Sequence, residues 1–234
     1  VGGKKSMSTH TLPGNPTEVR HMIETGEWNG VSTAGVAPGF VQANLAILPR
    51  EQAFDFLLFC QRNPRPCPLL EVMEPGVFEP VRTAPGADIR TDLARYRIYR
   101  DGVLDKEVED IREEWRDDLV TFIVGCSFTF EAALISAGIP LRHIEEERNC
   151  SMYVTKIQTT PAGVFSGPTV VSMRPIPQDK VVKAVQVTSR FPNAHGAPIH
   201  IGDPDVIGVR DIERPDFGDA VAIKEYEVPV FWAC

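Results

Sequence analysis

The sequence predicts an α/β protein: a mixed sheet sandwiched by helices, with a smaller inserted two-layer α/β subdomain. Three observations predict it. Helical and strand periodicities alternate along the chain, and after Asn149 the texture changes to a short β-β-α unit. The 234 residues at 43% hydrophobic content also suffice for one large domain carrying a smaller one. The expected division is 1–148 with 199–234 as the main domain and 149–198 as the insertion. The first ten or so residues are expected to lie outside the folded body.

The elements follow in order. Asn15 caps a first helix, with Pro16 in its first turn, Val19, Met22 and Ile23 at helical spacing and Gly26 at its end. The segment GVAPGFVQANLAILP, 35–49, is rich in small residues and turns. A second helix starts near Pro49 and stops before Pro64. Pro64, Pro66 and Pro68 force an extended path into a short strand, Leu69 to Val72. Tyr96 to Arg100, Asp101-Gly102 and Val103-Leu104 read as a β-hairpin. Ile111, Trp115, Leu119 and Phe122 give helical spacing, although the final VTFIV reads equally as a buried strand. Phe128 to Ala137 reads as a helix stopped by Gly138. In the expected insertion, Tyr153 to Thr159 and Thr169 to Met173 are strands and Lys180 to Ser189 an amphipathic helix. Pro198 to Ile201 returns as a strand, and Val228 to Ala233 reads as the last strand of the main sheet.

Composition excludes some functions. A net charge of −8 and pI near 5.2 argue against nucleic acid or an anionic membrane as the main partner. No apolar run approaches the roughly 20 residues of a membrane helix. The opening VGGKKSMSTH lacks the apolar core of a signal peptide, and the closing VPVFWAC reads as a buried strand from which the chain is expected to continue. Five cysteines, an odd number without zinc-ribbon spacing, read as free thiols in a reducing, cytoplasmic compartment. No cofactor and no metal is expected. A small acidic metabolite as partner is left open by composition, as is self-association into a homo-oligomer.

Three segments carry candidate chemistry. GCSFTFE, 125–131, places Cys126 and Ser127 at a turn into a helix, where unpaired N–H groups attract anions and lower a thiol pKa. Glu131 lies one turn on. The structural alternative is a small core cysteine, a cap and a dipole partner. LRHIEEE, 141–147, supplies Arg142, a carboxylate clamp, and His143, an acid or base. NAHGAPIHIGDP, 193–204, holds His195, His200 and Asp203. These are reasonable metal ligands without HExxH spacing, so a metal-free polar pocket is the expectation. Asn44 and Arg174 are further substrate-binding candidates, and Asp88, Arg90, Thr91 and Asp92 form a polar turn. No GxGxxG, Walker or GxSxG motif is present.

Taken together, GVAPGFVQANLAILP, FCQRNPRPCPLLEV, DIRTDLARYRIYRDG, GCSFTFEAAL, AGIPLRHI, VVSMRPI, HGAPIHIGDP and PDFGDAV resemble the D-glutamate cyclase family, whose bacterial branch is labelled as hydro-lyases. The resemblance spans about Gly35 to Cys234. It implies a two-part α/β structure and a lyase that eliminates water from a small acidic amino or hydroxy acid; the mitochondrial relatives convert D-glutamate to 5-oxo-D-proline. That reaction assigns expected roles. His143 or His195 is the base, and a protonated Glu131 the acid. Backbone N–H groups at Cys126 and Ser127 hold the oxyanion, while Arg142 or Arg174 holds a substrate carboxylate. Asn44, His200 and Asp203 complete the substrate pocket. The alternatives are a hydrolase or amidase with Cys126 as nucleophile, and a non-catalytic binding protein for an acidic metabolite.

Overall fold

The structure, a computed structural model, describes residues 13–28 and 33–234. What was expected of the first ten residues lies outside the described residues. The chain forms five α-helices and nine strands among the described residues. Asn15 caps α1, Pro16–Glu24, by accepting from the Thr17 N–H. The small-residue segment ends in a strand that its composition hid, β1, Ala43–Pro49. It runs directly into α2, Arg50–Arg62. The expected strand β2, Leu69–Val72, and the hairpin β3, Tyr96–Arg100, with β4, Val103–Val108, are present. Asp101 and Gly102 both have positive φ, as a tight hairpin turn requires.

The helical spacing through 111–124 resolves as turns followed by strand β5, Leu119–Gly125. The strand is central and covered on both faces, so it reads as a continuous apolar run, and the neighbouring Ile111 and Trp115 mimic a helical period. Strands β1 and β2 flank β5, both antiparallel. Phe122 faces α2 through Phe56, at a centroid separation of 4.8 Å. Ile123 packs on the other face against Met73 and Ile89.

A second sheet holds β6, Ser151–Gln158, β7, Pro168–Pro177, β9, Glu227–Ala233, and β8, His200–Ile201, in that order. Every strand pair in both sheets and the hairpin is antiparallel, so the α/β class stands while the mixed sheet does not. Strand β9 pairs with β7 and not with β5. Residues 149–198 therefore share a sheet with 199–234. Alternation along β7 and β9 sorts two cores. Ile176, Val230 and Trp232 face helices α3, Glu131–Ser136, and α5, Val181–Thr188, with the short α4, Arg142–Glu145, between them in the chain, while Val171, Met173 and Phe231 face Ile207 and Val209. No helix among the described residues is long and apolar enough to cross a membrane.

The two sheets meet at Gly125. A Cβ there would lie 1.9 Å from the Asn193 carbonyl oxygen, so only glycine lets the 192–196 turn close onto the end of β5. His195, with φ of 75°, donates from Nδ1 to the Arg65 carbonyl at 2.8 Å and latches the same junction. Gly125→Ala is expected to cost about 2–3 kcal/mol through this overlap. Urea denaturation measures it, and an unchanged midpoint rejects the close approach.

Candidate active site

The residues after β5 form a 3-10 turn, Ser127–Phe130, leading straight into α3. That geometry aims Glu131 beneath the turn and onto β7. Strand periodicity puts Ser172, Arg174 and Ile176 on one face of β7, toward α3. Arg174 is fully buried and Glu131 nearly so. The guanidinium grips a single carboxylate oxygen, with Nε 3.0 Å and Nη2 2.6 Å from Glu131 Oε1. It also donates from Nη2 to Ser127 Oγ at 3.0 Å and from Nη1 to Ser172 Oγ at 3.2 Å. His143 Nε2 lies 3.0 Å from the same Oε1. Glu131 Oε2 and both ring nitrogens of His143 are buried with no hydrogen bond of good geometry among the described residues.

The charge state follows. Burial alone pushes the Glu131 carboxyl up, but the Arg174 charge and the neighbouring His143 ring outweigh it and hold the carboxyl below its usual range. Burial also opposes the Arg174 charge, while the Glu131 carboxylate holds it protonated. Glu131 is thus an ionised partner of Arg174 and not the protonated acid expected.

A cleft of about 490 Å³ opens over this network where the two sheets meet. Its walls include Asn44, Cys126, Ser127 and Ser172, with Cys150 and Cys234 beside them. Gln42 fixes one wall: its N–H donates to Thr129 Oγ1 at 2.9 Å, and its amide bonds the Thr33 and Val36 carbonyls. The Cys126 N–H is spent on the Gln42 carbonyl at 2.9 Å, so it does not serve as the expected oxyanion donor. Burial pushes the Cys126 thiol up despite hydrogen bonds from the Phe128 N–H and Asn44 and the nearby Arg174 charge. Cys150 and Cys234 are pushed up by burial to about 11 and about 12. Protonated thiols do not favour the nucleophile reading.

The cleft gathers four of the ten expected site residues: Asn44, Cys126, Ser127 and, through the hydroxyls above it, Arg174. Glu131 and His143 support them from below. Phe128, a cleft residue, stacks on the His143 ring at 6.4 Å. The other four lie elsewhere. Arg142 is consumed by Glu227, Nη2 to Oε1 at 2.6 Å, and by Glu145. His200 bonds the Asp203 carbonyl, and Asp203 caps the 3-10 turn 204–207 by accepting from the Asp205 N–H. His195 is a buried latch, and burial pushes it down to about 4 against hydrogen bonds to Arg65 and Gly125. With Nδ1 committed to the Arg65 carbonyl and the ring outside the cleft lining, His195 is placed as a structural element and not as the expected base. Sequence reading missed Ser172, though a serine two residues before an arginine in the apolar run VVSMRPI was the available signal.

Two measurements test these charge states. Glu131→Gln is expected to cost about 3–5 kcal/mol by stranding the buried guanidinium, and Glu131→Gln with Arg174→Met to recover more than half. Urea denaturation of both variants decides; equal losses reject the pairing. The folded state binds fewer protons at His195 than the unfolded state between pH 6.5 and about 4. Its stabilising effect is therefore complete above pH 6.5 and is lost as pH falls through this window. His195→Asn keeps a short amide donor at a left-handed position and is expected to flatten that limb of the stability profile, read by thermal melts from pH 7 to 4.

Residues 120–234 match the D-glutamate cyclase family. A protein named "Putative hydro-lyase" from Stutzerimonas stutzeri is 61% identical over 94% of this chain and 83% of its own length. Relatives of the same designation from Geobacillus kaustophilus, 61% identical over 97% and 86%, and Bacillus subtilis, 59% over 94% and 85%, are similarly close. A solved nitrogen repressor-like protein from Methanococcus jannaschii aligns over 93% of this chain and 83% of its own at 9% identity. Its TM-score is 0.39, too low to indicate a shared fold.

Proposed function

The chain belongs to the D-glutamate cyclase family, and on that premise we propose that it is a cytoplasmic lyase closing a small acidic amino acid, D-glutamate first among them, with loss of water. One observation carries the reading. Ser127 and Ser172 each accept a hydrogen bond from the Arg174 guanidinium. A hydroxyl has one proton to give; here neither has another acceptor among the described residues, and both line the cleft. Their protons are left to a group bound there. Two hydroxyls polarised by one buried cation form an oxyanion site built before substrate arrives.

The reaction fits that site. The α-nitrogen attacks the γ-carboxyl carbon, forming the ring C–N bond and placing negative charge on oxygen. The C–O bond then breaks and the oxygen leaves as water. The nitrogen gives up two protons and the departing oxygen gains two, so the site relays protons and has no net supply to make. Cleft hydroxyls and water suffice for that relay, without the histidine base expected from the sequence. Glu131 and His143 act through Arg174 as positioning residues.

Ser127→Ala and Ser172→Ala are each expected to lower kcat for 5-oxo-D-proline formation about 100-fold with little change in KM. Mass spectrometry of D-glutamate, its enantiomer and related hydroxy acids, read for loss of one water, provides the assay. No water-losing turnover on any of them rejects the proposal.

A further inference from the structure

Beside the cleft lies a second cavity of about 380 Å³. It rests on the outer face of the first sheet. Leu45 and Ile123, which pair across β1 and β5, form its floor. Leu69 and Leu70 close one side, and Ile89 under the 80–93 segment closes another. Of these only Ile89 and Ile123 are fully buried; the three leucines are half-exposed. The cavity's walls are mainly apolar, and half-exposed leucines around a void are an unfinished surface that gains from being covered.

The two cavities adjoin and share lining residues. Arg20, Asp92 and Leu93, with Val41 and Ala43 of the β1 approach, line both. Arg20 stands at the junction, 3.7 Å from Asp92. That distance is beyond a hydrogen bond, and the guanidinium makes one side-chain hydrogen bond among the described residues, to Thr17 Oγ1 at 3.2 Å. A cation with unspent donors between a polar cleft and an apolar chamber matches an amphiphilic acid.

We infer that the chamber is an arm pocket of the same site, which beyond D-glutamate accepts small dicarboxylic acids bearing a compact hydrocarbon substituent. The carboxylate of such an acid meets Arg20 and its acidic head reaches Ser127 and Ser172, while the arm covers Leu45, Leu69 and Leu70. The inference rests on the proposed reading of the cleft as an acid-binding site, but not on turnover.

The test uses alkylsuccinates, from methyl to hexyl, titrated into the whole protein by calorimetry. Affinity is expected to rise roughly fourfold per methylene and to level off once the chamber is full. Ala84→Phe, which narrows the chamber, is expected to remove the chain-length dependence, and Arg20→Gln to weaken every member by a similar factor of about ten or more. Equal affinity along the series in the unsubstituted protein overturns the arm pocket. Calorimetry needs no catalysis, so absence of D-glutamate turnover with a rising series rejects the proposed reaction and leaves the pocket. Turnover with a flat series does the reverse.

Discussion

The ion pair between Glu131 and Arg174 is the constraint on which the rest of the molecule is arranged. Both groups are out of water, and taking two charges into the interior costs several kcal/mol per ion unless nearly every proton and lone pair is matched. The guanidinium meets this with four bonds, two to one carboxylate oxygen and one to each serine. Its plane is also packed near Phe130 and Trp232, 5.1 and 5.5 Å from their centroids. An apolar pair of similar volume would hold the core as well. It would not orient two hydroxyls, so the polar choice is explained by the cleft above and not by stability.

The pair also explains why the two sheets sit as they do. Glu131 follows β5 of the first sheet by six residues, and Arg174 is on β7 of the second. Their contact fixes the cleft floor only if the sheets are held at one spacing, which is what the Gly125–Asn193 approach and the His195 latch provide. The latch reaches Arg65 before β2, the 192–196 turn belongs to the second half, and both touch the last residue of β5. Packing at the junction and polar chemistry in the cleft are thus two parts of one arrangement.

Local signals were legible and long-range ones were not. Asn15-Pro16, the prolines before Leu69 and the Asp101-Gly102 turn each act through backbone geometry within a few residues, and each marks an element boundary that the structure keeps. Strand β5 was ambiguous because burial on both faces erases the period-two alternation. Strand β1 was hidden because its residues are exposed or only half-buried, so no hydrophobic face stands out. In the site, GCSFTFE and Arg174 were legible as polar groups in apolar surroundings. That Arg174 belongs to Glu131, and Arg142 to Glu227, depends on contacts across 43 and 85 positions, which no local pattern encodes.

The chemistry of the cleft follows from where charge is allowed. Three thiols line it, and burial keeps each protonated although Arg174 pulls in the opposite direction. The thiol walls therefore carry no charge of their own. The guanidinium is shielded below by Glu131, and its influence reaches the cleft mainly through the Ser127 and Ser172 hydroxyls. In the proposed reaction the attacked γ-carboxylate concentrates further negative charge on oxygen, and two fixed donors there hold that charge more strongly than the delocalised charge of the ground state. That difference between the two states is the physical requirement of catalysis. On the proposed reading the buried pair supplies it by orienting hydroxyls, so that GCSFTFE acts through Ser127 and Glu131 and not through the reactivity of Cys126.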